Sequence, residues 1–515
     1  MQNENRDRND NDAVLGQQAA HVAVAWGPKS YDVTPPYSPD TAWPEYHRIS
    51  TVLNNDVNEV YRTVRESFRL LGLDAARYGS PEWNPLGDWI RPGDTVVLKP
   101  NFVRDFRESS SDTAECVITH GSVIRAVLDY AYLALNGNGR LIIADAPQND
   151  ADFSAIRKLA NLDALVEFYR THVGFAVEFY DLRPEAAIKV DGVITGHTKL
   201  AGDPEGYVKV NLAQHSAFAE IEHLCHKLYG AEYDRSELVS HHTNGAHEYL
   251  ISKTILNADC VISIPKLKTH KKTGITVNLK NLVGINGNKN WLPHHREGTP
   301  ADGGDQFNES NFLRRSERMA VALFKRSFPV LGSLRGKVAG PLKALGKGIF
   351  GDTNVDTVRS GNWFGNDTTW RMAIDLNRIL LYAQKDGRIA ERPVRRFLSV
   401  VDGIIGGEGN GPLDPQPRTA GVIIAGTNPV AVDLASARLL GFDYRKIPML
   451  TQALQEHHLP LTSFTFEDVT AYSNDATFNC PLAQYSGPLL AFVPHFGWKG
   501  HVEVEENSSE IRAIA

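Results

Sequence analysis

Cysteine is scarce: Cys116, Cys225, Cys260 and Cys480 are four thiols in 515 residues, and no two stand at a Cys-x-x-Cys spacing. That argues against a zinc ribbon, a ferredoxin-type iron–sulfur cluster and a disulfide framework, and it fits a reducing cytoplasm. No run of about 18 apolar residues is present, so no transmembrane helix is expected. A surplus of positive charge is missing too. The formal net charge is −7, which leaves the molecule as a whole without a nucleic-acid footprint. Neither a Walker A lysine loop nor a Gly-x-Gly-x-x-Gly after a strand supports a common nucleotide fold. The polar, acidic opening is unlike a secretory signal and reads as a disordered tail over residues 1–20.

What is present alternates. A strand at 21–26, helical spacing over 50–72, a buried strand near 95–100, a helix at 121–135 and a strand at 140–144 delivering Asp145 follow one another. A helix at 155–169 and a strand at 175–180 continue the rhythm. Such β-α-β-α order argues for a mostly parallel sheet covered on both faces. At 515 residues the chain exceeds one typical core. Two α/β domains are therefore expected: 21–300, with a subdomain insertion at about 184–245, and 361–515, with a basic helical insertion at 301–360 between them. A helix over 246–256 would lead back into the first sheet.

The centre of the chain is 259–287. An apolar strand, Cys260 to Leu267, runs into Lys266, Lys268, His270, Gly274, Asn278, Lys280 and Asn281, and the spacing Ile275, Leu279, Leu282, Val283 predicts a helix from Gly274 onward. A strand ending in cations before a helix is how α/β proteins build sites for anions. Lys99, Lys266, Lys268 and Lys280 at strand ends would repel one another unless an anion neutralised them. They are thus candidates, with Asn101 and Asn281, to bind a phosphate or carboxylate ligand. His120, His270, His294 and His295 supply imidazoles for acid–base work or metal ligation. Asp402 at a strand end, Glu408 in a glycine-rich loop (403–412) and Asp433 within an apolar helix add oxygens suited to a divalent metal.

Residues 313–350 stand apart. Nine Lys or Arg and a single acid, Glu317, are interleaved with apolar side chains. Such a basic amphipathic segment fits an anionic membrane surface or a helical excursion on its own domain.

Several words together resemble a prokaryotic family, domain of unknown function 362. They are Leu98-Lys-Pro-Asn101, Thr119-His120, Ile143-Ala-Asp145, Ile264-Pro-Lys-Leu-Lys-Thr-His270, Lys280-Asn-Leu-Val-Gly284, Asp402-Gly through Glu408-Gly-Asn-Gly-Pro412, and Gly426-Thr-Asn-Pro-Val-Ala-Val-Asp433. The resemblance spans about 95–445 and implies no activity. Some members carry a ferredoxin-like cysteine cluster, which this sequence lacks. More distantly, the layout is similar to lactate racemase-like enzymes, which hold a nickel-pincer nucleotide between two α/β domains. Thr119-His120 precedes a helix, Lys280 follows His270 by ten positions, and His294 and His295 come 14 and 15 later. The glycine-dense motif of those enzymes is represented by Gly274 alone. This resemblance implies a nucleotide-derived cofactor tethered by Lys280.

The expected function is a cytoplasmic enzyme, at the membrane surface if 313–350 docks there. It would bind an anionic, phosphorylated or nucleotide-like molecule between two domains and use His120, His270 and Lys280 for racemase- or epimerase-type acid–base chemistry. His270, His294, His295, Asp402, Glu408 and Asp433 are the candidate ligands of a divalent metal. One alternative is a metal-dependent phosphoryl or ligase-type transferase using Asp402, Glu408 and Asp433. Another is a non-catalytic ligand-binding protein docked on membranes. The oligomeric state is not legible.

Overall fold

The computed structural model describes residues 17–31, 33–109, 114–190, 193–230, 235–309 and 357–505. Residues 1–16 of the expected tail and the basic segment 313–350 lie outside the described residues, whereas Gln17–Ala20, expected as tail, form a 3-10 turn with Ala19 and Ala20 buried.

Apolar runs form the centre of the sheet. β1 (His21–Trp26), β2 (Thr95–Pro100), β3 (Arg140–Asp145), β4 (Val177–Asp181) and β5 (Cys260–Ile264) come from the first half of the chain. β6 (Lys266–His270) and β7 (Gly274–Thr276) follow directly. β8 (Arg396–Asn410), β9 (Asp414–Gly426), β10 (Thr470–Ser473) and β11 (Cys480–Pro481) come from the second. All join one eleven-stranded sheet in the order β11-β10-β1-β9-β8-β5-β2-β3-β4, with β6 paired to β8 and β7. Strands β8, β5, β2, β3 and β4 are mutually parallel, and β9 runs antiparallel to β8 and β1.

Alternate side chains of these strands enter two cores, as the two-residue period of a strand requires. Val96, Leu98, Leu141 and Ile262 face helices α1 (Glu59–Leu70) and α2 (Gly121–Leu135). Val97, Ile142, Val261 and Val401 face the helices α4 (Thr369–Tyr382) and α5 (Pro429–Leu440); a one-turn helix between these pairs, α3 (Asn278–Asn281), carries Lys280.

Four expectations need correction. Strands of both halves interleave in one sheet, with β1 held between β9 and β10, so no two separate sheets are seen to correspond to the expected domains. The stretch after Lys266 is not loop and helix but a hairpin, β6 and β7, and the helix begins only at Asn278. Likewise 246–256 is a strand, Glu248–Ser252, before a five-residue helix, Lys253–Asn257. The glycine-rich 403–412 is mostly strand, with Glu408 facing Gln416 across the β8–β9 ladder. Its glycines serve close approach: a Cβ on Gly407 would lie 2.7 Å from the Cys116 carbonyl oxygen, and one on Gly411 2.0 Å from that of Thr269. The 184–245 region does hold short strands, including the hairpin Glu185–Val190 with Val193–Lys199.

Candidate functional site

The parallel strands deliver their polar ends to one side of the sheet, where open α/β sheets bind ligands. Lys99, near the end of β2, is fully buried and donates to Asp145 Oδ1 at 2.7 Å and Asn281 Oδ1 at 3.0 Å. Asp145 Oδ2 accepts from Phe102 N at 2.8 Å, and Asn281 Oδ1 also accepts from Asn101 Nδ2 at 3.1 Å. Lys268 on β6 donates to Asn101 Oδ1 at 2.7 Å and to the Val117 carbonyl at 2.6 Å; burial holds its amine well below the usual lysine range. Gly284 is part of this arrangement, because a Cβ there would lie 1.8 Å from Asp145 Oδ1.

A second group surrounds Asp402, midway along β8, where the first residue of β6, Lys266, pairs with it. Lys266 Nζ donates to Asp402 Oδ2 at 2.8 Å and to Tyr31 OH at 2.7 Å, and Tyr31 in turn donates to Asp402 Oδ1. The His120 amide adds a bond to Oδ2 at 2.9 Å. The His120 ring stacks on Tyr31 at 4.1 Å and its Nδ1 caps α2 by accepting from Ser122 N at 3.2 Å. Burial lowers this imidazole to about 4, so His120 is a neutral cap and packing partner. It lies with Asp402 and Lys266 rather than with Lys280.

The third group is unlike the others. Lys280 is 8% exposed, and among the described residues its amine has neither a hydrogen-bond nor an ion-pair partner. Burial, helped by Lys99, lowers it to about 7. His270, on the end of β6, accepts Lys272 N at 3.1 Å and Thr273 N at 3.2 Å on Nδ1, which places its own proton on Nε2. His294 donates from Nδ1 to the Leu292 carbonyl at 2.8 Å, which leaves Nε2 as an acceptor. After burial, Lys280 is the largest influence holding both imidazoles below their ordinary range, His294 at about 3. Two imidazoles of opposite polarity thus feel the charge of one amine that has no partner among the described residues. Lys272, also lowered to about 7 mainly by burial, is tied down by the carbonyls of His294 and Ser360.

The four strand-end lysines therefore do not form a bare cationic crevice. Lys99 and Lys266 are neutralised by Asp145 and Asp402, Lys268 is bonded to neutral oxygens, and of the four only Lys280 is without a partner among the described residues. The six expected metal ligands are also not brought together, and among the described residues no three His, Cys, Asp or Glu side chains form a metal-holding group. Glu408 accepts Val493 N at 2.9 Å, on the ladder beyond Asp402. Asp433 accepts Asn278 N at 2.8 Å and Leu279 N at 3.0 Å, which explains an acid inside an apolar helix: it caps α3 from across the interface. His295 stacks on Tyr229 with centroids 5.2 Å apart. This donor set does not fit a nickel-pincer nucleotide, since the carboxylates and every strand-end cation except Lys280 are bonded to protein groups. Tyr31, Asp145 and Lys272 were not anticipated as site residues; Asp145 at a strand's carboxyl end was the one with a signal. A cavity of about 370 Å³ lies at the opposite end of the sheet, beside Asp259 and Arg395, and takes in none of these residues.

These features define an α/β protein with a mixed, mostly parallel sheet and a buried lysine–histidine cluster at its strand ends. Residues 210–438 match the family described as Domain of unknown function (DUF362), so this part of the chain is a DUF362 domain. The match takes in β6, α3 and Asp402, whereas Lys99, Asn101 and His120 precede it. The chain is also 23% identical over 371 residues to the thylakoid-associated protein sll1697 of Synechocystis sp., covering 72% of this chain and 70% of that protein. No helix among the described residues is long and apolar enough to cross a membrane.

Proposed function

We propose that the chain is an enzyme that moves protons on a small anionic molecule, in the manner of a racemase or epimerase. Lys280 would be the acting amine, with His270 and His294 as its acid and base. The observation behind this reading is that Lys280, alone among these lysines, has no bond to any described residue although it is buried. A buried amine near neutrality suits general acid–base work at physiological pH. Lys272 and Lys280 together favour an anionic substrate, because Asp305, the carboxylate that acts on Lys272, is occupied by Arg296 N, Thr368 and Asp367 N. The transferase alternative lacks such support, since Asp402, Glu408 and Asp433 are all engaged by protein donors.

The test starts from a thermal-shift screen of small carboxylates and phosphates, in which bound compounds raise the melting temperature by mass action. Hits are then incubated with protein in D2O and followed by NMR. Deuterium should enter a carbon-bound position with the wild type and be reduced at least roughly a hundredfold with Lys280→Met. Exchange that is equal in both proteins would remove Lys280 from the chemistry.

A second reading concerns location. The relative's name, thylakoid-associated, together with nine cations in 313–350, supports peripheral association with an anionic membrane, at about 1 kcal/mol per engaged Lys or Arg. The full chain should sediment with vesicles containing anionic lipid and be released by high salt. Protein that stays in the supernatant at low salt would end this reading.

A further inference from the structure

The polarity of the two imidazoles around Lys280 narrows the chemistry further. A general base needs an amine and nothing more in particular. An amine that adds to a carbonyl needs three further things: an unoccupied lone pair, a donor for the carbonyl oxygen as it becomes hydroxyl and leaves as water, and an acceptor for the protons shed by nitrogen. All three are present. Lys280 has no bonding partner among the described residues. His270 carries its proton on Nε2 because two backbone amides occupy Nδ1. His294 keeps Nε2 as an acceptor because Nδ1 is spent on the Leu292 carbonyl. Two of the three are held by paired structure: α3, which carries Lys280, is capped by Asp433, and β6, which carries His270, lies between β7 and β8.

We infer that Lys280 forms an imine with its substrate, which is then a small carbonyl compound bearing an anionic group, with His270 as the acid and His294 as the base of the condensation. This rests on the acid–base reading given above and assigns its substrate class. In the step, the Lys280 nitrogen adds to the carbonyl carbon and the oxygen takes a proton from His270 Nε2. Nitrogen then loses a proton to His294 Nε2. The hydroxyl then takes that proton back from His294 and departs as water, which leaves a protonated carbon–nitrogen double bond, and His270 regains its proton from solvent. No electrons are exchanged with an outside reagent. Protonated, such an imine acidifies the neighbouring carbon–hydrogen bond, which a racemase- or epimerase-type enzyme must break.

The probe is glyoxylate, the smallest aldehyde carrying a carboxylate, given to the full-length protein at pH 7.5 with sodium cyanoborohydride to reduce any imine. The product is carboxymethyl-lysine, located by peptide mass mapping. Lys280 should be modified at least roughly tenfold faster than the exposed Lys385 and Lys499, since an amine lowered to about 7 is largely unprotonated at this pH. Acetate in excess, which carries the anion but no carbonyl, should slow the reaction at Lys280 and leave the other two unchanged. Modification of Lys280 that is no faster than at Lys385 and Lys499 would overturn the inference. Deuterium exchange dependent on Lys280 would then still uphold the acid–base reading, so the two failures are separable.

Discussion

Lys99, Lys266 and Lys280 are three buried lysines of one neighbourhood, and substitution by methionine should divide them. Removing Lys99 or Lys266 leaves Asp145 or Asp402 buried without its cation, which costs about 3–5 kcal/mol. Removing Lys280 breaks no bond and relieves the burial of a charge, so Lys280→Met should stabilise the protein, by about 1–2 kcal/mol at pH 6. The pH dependence has a definite sign. The folded amine, at about 7, loses its proton before the unfolded one at about 10.4. The unfolded state therefore holds more protons between these values, and wild-type stability rises with pH there. The gain from Lys280→Met should accordingly shrink between pH 7 and pH 9. Urea unfolding of the three variants at pH 6 and pH 9 checks both the split and the trend. A side chain whose removal stabilises the fold is retained for something other than the fold. In the sequence the three lysines looked alike, because nothing local to Lys99 or Lys266 announces a carboxylate 46 or 136 positions away.

At the level of elements, the helix that carries Lys280 is a single turn, too short to be stable by itself. It is held from α5 by Asp433, which accepts two of its amides and Asn278 Nδ2. Asp433→Ala strands those donors and should cost about 2–4 kcal/mol. Asp433→Asn keeps one oxygen for Asn278 N and Asn278 Nδ2 but sets its amide against Leu279 N, so it should cost about 1–2 kcal/mol, less than the alanine. Thermal or urea unfolding separates the two, and equal losses would remove the capping role. The apolar runs of β2, β3, β5 and β8 were legible because few alternatives accommodate them. The hairpin β6–β7 was not: lysine, threonine and histidine normally mark solvent, and here they are buried on hydrogen bonds supplied by Asn101, Val117 and Asp402. The glycines of β8 misled in the same way, since composition does not distinguish freedom from close contact.

For the molecule as a whole, the alternation of strands and helices gave the α/β class, but local sequence does not fix which strand lies beside which. β1 sits among β9 and β10, strands from the far end of the chain, and the ends of β2, β5 and β8 gather the lysines and histidines onto one side of that sheet. The most direct test of Lys280 as the working amine is its own titration in the folded protein. Trace acetic anhydride labelling across pH 5 to 11, read by peptide mass spectrometry, gives the midpoint for each lysine. The expected result is a midpoint near pH 7 for Lys280, well below the ordinary lysine value of about 10.4. A Lys280 midpoint within the ordinary lysine range, or no labelling of Lys280 at any pH at which the protein is folded, would contradict it.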